Sequence, residues 1–121
     1  MKMLDRSQEI DFQEIQMPKF LAPKTLRLAN SIEVYVLEGA GQELCRLDMV
    51  FEAGSKVQDK ALQASMCNAM LFEGTANKKG EEIHESLDFY GAYTQLDINS
   101  DRAVVSLYTL NKYFDKVLPI F

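Results

Sequence analysis

The stretch that decides the fold runs from Ala61 to Thr75 and reads ALQASMCNAMLFEGT. Four of its apolar residues recur at helical spacing: Leu62, Met66, Ala69 and Met70. Spacing of this kind predicts a helix with one buried stripe. Gly74 predicts the end of the helix, because glycine readily adopts the backbone conformation of a helix terminus.

A second set of residues on this helix concerns chemistry rather than packing. Ser65, Asn68 and Ala69 stand at positions i, i+3 and i+4 and therefore share one side of the helix. Two metal ligands one turn apart, with a base between them, form the zinc site of several peptidase helices. Zinc takes imidazole, thiolate or carboxylate ligands, and an asparagine side chain cannot act as a general base. Ser65, Asn68 and Ala69 therefore supply neither a good zinc ligand nor a general base.

The rest of the chain alternates between strand and helix patterns. Alternating and β-branched residues predict strands at 25–28, 32–37, 44–51, 92–98 and 102–110. We expect the glycine-rich link at 39–41 to join two of them as a hairpin, 32–37 with 44–51, and the tight polar turn Asn99-Ser100-Asp101 to join 92–98 with 102–110. An acidic first turn and the stripe Ile83, Leu87 and Tyr90 predict a second helix over 81–90, and a last helix follows Asn111. From 32–37 onward, the order β-β-α-α-β-β-α predicts an α+β fold, a mostly antiparallel sheet with helices on one face.

Domain organisation follows from composition along the chain. Residues 1–24 are polar and punctuated by prolines, which predicts an extended lead-in segment before a domain over 25–121. The last helix stops on Phe121 with its apolar stripe open, so we expect the chain to be the front part of a longer protein. An isolated fragment of this kind can self-associate to cover such a stripe.

Composition excludes several classes of partner. The 121 residues are 47% hydrophobic and 26% charged, which is typical of a folded globular chain. A net charge of −5 without a basic cluster argues against nucleic-acid binding, and no apolar run is long enough to cross a membrane. The N-terminus has no apolar signal region, which favours the cytoplasm and leaves the periplasm open if a signal has been removed.

His84 is the single histidine of the chain and precedes Asp88 by one turn of the second helix. A functional interpretation would make it a metal ligand or a general base. One histidine cannot supply the three or four ligands that a zinc site needs. We therefore interpret His84 as a surface residue that pairs with Asp88.

Several motifs together resemble a known family. The run Met70-Leu71-Phe72-Glu73-Gly74-Thr75 resembles the segment just after the H-x-x-E-H helix of the insulinase-like (pitrilysin) zinc peptidases. Four more segments resemble that family and occur in its order: 28–34, where Ser31 replaces a glycine, 50–55, 87–92 and 101–102. The likeness covers roughly residue 25 to the C-terminus. It implies the fold of the mitochondrial-processing-peptidase type, of which this chain would be the first half of the usual domain.

The resemblance also implies what the chain lacks. In this register Ser65 stands at the first histidine of the motif, Asn68 at the glutamate and Ala69 at the second histidine. Family members bind zinc through both histidines and a downstream glutamate, and the motif glutamate activates water. The family's Asn-Ala-x-Thr stretch beside the substrate falls on 95–98, where Gln-Leu-Asp-Ile stands. The resemblance therefore implies that this chain has no catalytic residue, no metal ligand and no cofactor, although zinc is the cofactor of the family.

These implications lead to one functional hypothesis and two alternatives. The hypothesis is a non-catalytic subunit that closes the chamber of an active zinc peptidase chain or binds peptide beside it, without proteolysis of its own. Peptide would add to a sheet edge through backbone groups, along the residues Ala92, Tyr93, Thr94, Gln95 and Leu96. The alternatives are a peptide-binding or scaffold protein with no peptidase partner, and a zinc protease whose active site lies elsewhere in a longer chain.

Overall fold

The computed structural model describes residues 14–18, 20–39 and 41–121. The chain divides into two units, Met1–Ala40 and Gly41–Phe121. In the described part, no helix has the length and apolar character needed to cross a membrane. The predicted boundary between a lead-in segment and a domain at residue 25 stays a prediction, although the first strand begins at Lys24.

The first unit contains a two-stranded antiparallel hairpin. Strand β1 (Lys24–Arg27) pairs with strand β2 (Glu33–Val36). Ser31 in the connecting turn has a φ of 68°, in the left-handed region that glycine prefers. Its N–H donates to the carbonyl oxygen of Leu28 at 2.9 Å. Ser31 therefore adopts a backbone conformation that is more usual for glycine.

The predicted hairpin between residues 32–37 and 44–51 is wrong. Strand β2 pairs with β1, and strand β3 (Leu44–Phe51) pairs along its whole length with strand β5 (Ala103–Leu110). The turn at Ser31 gives β2 a local partner in β1. Strands β3 and β5 instead share an apolar face on one core, which a local sequence pattern cannot reveal.

The second unit is a three-stranded antiparallel sheet with the order β3-β5-β4, where β4 is Tyr93–Ile98. The predicted hairpin of β4 and β5 is confirmed. Its turn is held by Asn99, whose Oδ1 accepts hydrogen bonds from the backbone N–H groups of Asp101 at 2.9 Å and Arg102 at 2.8 Å. Asparagine suits this position because its short side chain bonds its own backbone two residues on.

Helices and single turns of 3-10 helix follow the sheet strands in the order that the sequence predicts, which confirms the α+β class. In chain order they are a 3-10 turn Ser55–Val57, α1 (Gln63–Ala69) with a 3-10 turn Met70–Phe72, α2 (Gly80–Phe89), a 3-10 turn Asn111–Tyr113 and α3 (Phe114–Val117). Their inner residues pack against one face of the sheet. The core of this unit is formed by Phe72, Ile83, Leu87, Ala92, Val105, Leu107 and Val117.

Helix α2 agrees with its prediction. Ile83 and Leu87 are 3% and 2% exposed, so the inner stripe is buried as its spacing requires. The Glu82 carboxylate accepts a hydrogen bond from the Lys79 backbone N–H at 3.0 Å, which caps the first turn. Gly91 ends the helix with a φ of 63°.

The predicted buried stripe of the first helix is wrong. Leu62, Met66 and Met70 are 69%, 57% and 61% exposed, and Ala69 is also exposed. The inner face is offset and carries Ala64, Asn68 and Phe72. The reason is tertiary: the Asn68 amide bonds the Asp97 carbonyl oxygen on β4, and Phe72 packs in the core, so these two residues fix the inner face.

Candidate functional site

The three motif positions lie on α1, which packs against strand β4. Ser65 and Ala69 are exposed, whereas the Asn68 side chain is only 6% exposed. The Asn68 Nδ2 donates to the backbone carbonyl oxygen of Asp97 at 3.1 Å. The Asn68 Oδ1 is buried and has no hydrogen-bond partner among the described residues. Asn68 is therefore a tie between the helix and the strand.

The donor set at these positions does not fit zinc. Ser65 offers a neutral hydroxyl, Ala69 offers a methyl group, and the amide of Asn68 is held by the carbonyl oxygen of Asp97. Zinc sites in proteins use imidazole, thiolate and carboxylate ligands. In the part of the chain that the structure describes, no three histidine, cysteine, aspartate or glutamate residues come together at a metal-binding distance.

A backbone clamp positions the segment that leads into α1. The N–H groups of Gly54, Ser55 and Lys56 donate to the carbonyl oxygens of the β4–β5 turn at 3.2, 3.0 and 2.9 Å. The acceptors of these bonds are Asp101, Asn99 and Ser100 respectively. The clamp holds the start of the segment before α1, and Asn68 holds α1 itself, against the same hairpin.

Strand β4 has an open edge within the described part of the second unit, because it pairs there with β5 alone. The Asn99 N–H donates to the Arg102 carbonyl oxygen at 2.9 Å, so this pair is hydrogen-bonded across the hairpin. Hydrogen-bonded and non-hydrogen-bonded pairs alternate along antiparallel strands. It follows that the backbone groups of Thr94, Leu96 and Ile98 point away from β5, toward the open edge.

The five residues predicted to bind peptide therefore differ in which backbone groups and side chains they expose. Thr94 and Leu96 direct backbone N–H and C=O groups to the open edge. Tyr93 and Gln95 turn their backbone groups toward β5, and their side chains are exposed on the sheet face. Ala92 is 3% exposed, lies before the strand, and its N–H already donates to the Leu87 carbonyl oxygen at 3.0 Å. Their role in peptide binding stays a prediction.

Comparison with known families identifies this arrangement. The model of the insulinase family, peptidase family M16, matches residues 34–121. The chain belongs to peptidase family M16. The match includes the motif helix and the whole β3-β5-β4 sheet, and it confirms the resemblance that the sequence motifs indicate.

Two solved structures share the M16 fold seen here. The peptidase M16 inactive domain from Pseudomonas fluorescens is 29% identical, with a TM-score of 0.75 over 83% of this chain and 25% of that chain. A protease from Helicobacter pylori is 22% identical, with a TM-score of 0.75 over 84% of this chain and 26% of that chain, and this likeness concerns the fold alone. The chain thus spans about a quarter of the length of each. No curated protein matches it.

A cavity of about 310 Å³ opens beside α1. Its walls are formed by α1, by the segment around Gly54 and by the facing ends of β3 and β5, and the residues that line it carry no charge. Cys67, which is exposed, supplies the one thiol in that lining. The described lining contains no histidine and no carboxylate, so the Cys67 thiol is its one titratable side chain.

His84 makes no ion pair with Asp88, its predicted partner, among the described residues. Its ring packs beside the core residue Phe72, with ring centres 6.4 Å apart. Phe72 in turn packs on Phe121 at 6.0 Å. The histidine of this M16 chain therefore contributes to packing around the exit of the motif helix.

The sheet face that points away from the helices carries an aromatic and charged row. Tyr93 and Tyr108 stack with ring centres 4.4 Å apart and planes 3° from parallel, and the Arg46 guanidinium lies 5.1 Å from the centre of the Tyr108 ring. Arg46 also donates to Asp48 at 2.8 Å. Burial raises the pKa of the Asp48 carboxyl group, but the hydrogen bond and charge of Arg46, with the nearby Ser106 hydroxyl, lower it by more. The Ser106 hydroxyl lies outside hydrogen-bond geometry, so Arg46 is the main cause of the low pKa.

Reasoning from the sequence missed this row. The alternation of β3 does place Arg46 and Asp48 on one face, and that signal is visible in the sequence. The row forms because β5 lies between β3 and β4, and such a pairing joins residues more than 60 positions apart, Arg46 with Tyr108. Nothing local in the sequence marks that partner.

Proposed function

We propose that this chain is a non-catalytic member of peptidase family M16 that binds extended peptide along the open edge of β4 and acts beside a catalytically competent partner chain. The proposal rests on which side chain stands at the position of the motif glutamate on α1. The position of the motif glutamate holds Asn68, whose amide is committed to the Asp97 carbonyl oxygen. A side chain that fastens a helix to a strand is not free to activate water.

A second observation supports the role in peptide binding. The open edge of β4 offers unpaired backbone groups at alternate residues, and extended peptides bind such edges by adding a strand. Main-chain hydrogen bonds supply the affinity in this mode, so the loss of catalytic side chains does not remove it. The M16 structure from Pseudomonas fluorescens, described as an inactive domain, offers a precedent for a family member without activity.

The partner in this proposal is a separate M16 chain with an intact H-x-x-E-H helix. Three exposed apolar residues, Met66 on α1 and Leu62 and Met70 at its two ends, support the proposal that this helix is covered in a larger assembly. Large apolar side chains in a contiguous exposed stripe are typical of interaction surfaces. Zinc and water activation would then belong to the partner.

We expect the purified chain to bind no stoichiometric zinc and to leave unstructured peptides uncut. Metal analysis after dialysis against zinc measures the zinc content. Mass spectrometry of a peptide library incubated with the chain measures cleavage. Addition of an M16 chain with an intact motif should bring cleavage that neither chain shows alone. One zinc ion per chain, or cleavage by this chain alone, would contradict the proposal and favour a protease with its own site.

The binding mode has a separate test in N-methylated peptides. Methylation of a peptide N–H that faces β4 removes a donor and adds a clash, so affinity should fall about tenfold or more. Methylation at the alternate positions, whose N–H groups face away, should leave affinity within about twofold. Fluorescence anisotropy measures the affinities of two peptides, one methylated at the positions that face β4 and one methylated at the alternate positions. Equal effects of both phases would show that the peptide does not bind as an added strand.

A further inference from the structure

The side chains on the open face of the sheet form lateral rows that end at the edge of β4. In register across β3, β5 and β4, the rows are Arg46–Tyr108–Tyr93, Asp48–Ser106–Gln95 and Val50–Val104–Asp97. Each row stops at β4 because no described strand lies beyond it. A strand added to this edge would continue every row by one side chain, since residues directly opposite each other point to the same face.

The first row ends on an aromatic ring with an open side. Tyr93 stacks against Tyr108 at 4.4 Å, and the far side of Tyr108 carries the Arg46 guanidinium at 5.1 Å. Tyr93 remains 57% exposed, so the ring face toward the open edge is accessible. Planar groups already stack on both sides of Tyr108. The next side chain in this row would therefore meet a flat aromatic surface that favours another ring or a guanidinium.

The third row ends on a carboxylate. Asp97 is exposed, and its Oδ2 accepts a hydrogen bond from Gln95 Nε2 at 2.8 Å. Gln95 is itself held by the Tyr108 hydroxyl, which donates to its Oε1 at 3.4 Å. Among the described residues no ion pair involves Asp97, whereas Asp48 and Asp101 are paired with Arg46 and Lys56. The next side chain in this row would meet an uncompensated negative charge.

The geometry of the edge brings these contacts close. Thr94 and Leu96 supply the backbone groups for an added strand, so residues opposite Tyr93, Gln95 and Asp97 fall in the non-hydrogen-bonded pairs. Side chains approach each other most closely in those pairs of an antiparallel ladder. All the strand pairings described in this chain are antiparallel. An antiparallel peptide would reach Asp97 with its N-terminal part and Tyr93 four residues later.

Resting on the proposed function, we propose that Asp97 and Tyr93 set the sequence preference of the β4 edge. The preferred peptide carries a lysine or arginine opposite Asp97, a polar residue opposite Gln95 and an aromatic ring or arginine opposite Tyr93. The pattern in the peptide is cation-x-polar-x-planar, read from its N-terminus. The substrate class is thus a basic, extended peptide with an aromatic or arginine residue four positions after its cation.

A charge swap tests the proposal directly. The probe is a labelled peptide of about nine residues with lysine, glutamine and phenylalanine at alternate central positions, and its affinity for the 121-residue chain is measured by anisotropy. Replacing the lysine by glutamate should weaken binding about fivefold to tenfold, because an attractive pair becomes a repulsive one. In the Asp97→Lys variant this preference should reverse, so that the glutamate peptide binds more tightly.

Two further variants make the result specific. Asp97→Asn should abolish the preference without reversing it, and Tyr93→Ser should remove the preference for phenylalanine over serine while keeping that for lysine. The matched control is Glu85→Lys, which makes the same charge change on an exposed position of α2 and should preserve the preference. These are ratios between peptides, so a variant with a reduced folded fraction still reports its preference.

The outcomes separate this inference from the function on which it rests. If lysine and glutamate peptides bind the native chain equally, the inference is overturned and strand addition at β4 still stands. If the preference persists in Asp97→Lys, another residue reads the cation and the inference is again overturned. If no peptide binds at all, the proposed function and this inference both fail.

Discussion

Asn68→Glu, the substitution that would restore the motif glutamate, is expected to destabilise the folded chain by about 3 kcal/mol at neutral pH. It removes the amide donor that bonds the Asp97 carbonyl oxygen at 3.1 Å. It also places a carboxylate against that carbonyl oxygen, at a position that is 6% exposed. Neither group can donate a hydrogen bond to the other while the carboxylate is charged. The free energy of unfolding from urea denaturation measures the loss.

The pH dependence of this variant identifies the cause. Burial without a partner raises the pKa of the new carboxyl group above the ordinary glutamate value of about 4.3. The folded state then binds a proton that the unfolded state has lost, so stability relative to the native chain falls as pH rises from about 4.3 through the raised pKa. Below that window the carboxyl group is neutral in both states and can donate to the Asp97 carbonyl oxygen. The deficit should therefore shrink in acid.

A matched control separates the site from the substitution. Asn77→Glu makes the same chemical change at an exposed loop position, and we expect an effect within about 0.5 kcal/mol. If both variants lose equally little stability, Asn68 does not fasten α1 to β4, and its position remains able to carry a catalytic carboxylate. Ser65→His, at the exposed motif position, should also be nearly neutral.

The comparison of Asn68 with its neighbours explains why the sequence predicted the helix but not its orientation. The apolar residues Met66 and Met70 have helical spacing, and such a stripe is normally buried. Here the inner face instead includes a polar residue that finds a partner on β4. A hydrogen bond to a distant carbonyl oxygen leaves no trace in local periodicity, so the face of α1 could not be read from the sequence.

Local signals were sufficient elsewhere. The β4–β5 hairpin depends on Asn99 and its own turn, and the end of α2 depends on Gly91, so both were predicted from neighbouring residues. The pairing of β3 with β5 depends on residues far apart in the chain. For the candidate site, the motif resemblance located Ser65, Asn68 and Ala69 and the strand beside them. The rows that end on Tyr93 and Asp97 could be identified only from the strand order in the structure.

Gly54→Ala is expected to cost about 3 kcal/mol of folding stability, although it adds a single methyl group. Gly54 is buried, and its φ of −76° and ψ of 179° are accessible to any residue, so conformational freedom is not the reason for glycine. The added Cβ would overlap the backbone carbonyl groups of Ser100 and Asp101. Both belong to a turn that is fixed by its own hydrogen bonds, so the segment before α1 must move away instead.

That displacement should break the clamp that positions α1. The N–H groups of Ser55 and Lys56, which bond Asn99 and Ser100 at 3.0 and 2.9 Å, would lose their acceptors. We expect faster amide hydrogen exchange at these two residues together with the loss in urea stability. Gly39→Ala is the matched control, because no atom of the described residues lies within 4 Å of a Cβ there, and it should be neutral or stabilising by up to about 1 kcal/mol. Equal stability of both variants would mean that close backbone approach at Gly54 does not hold the motif helix in place.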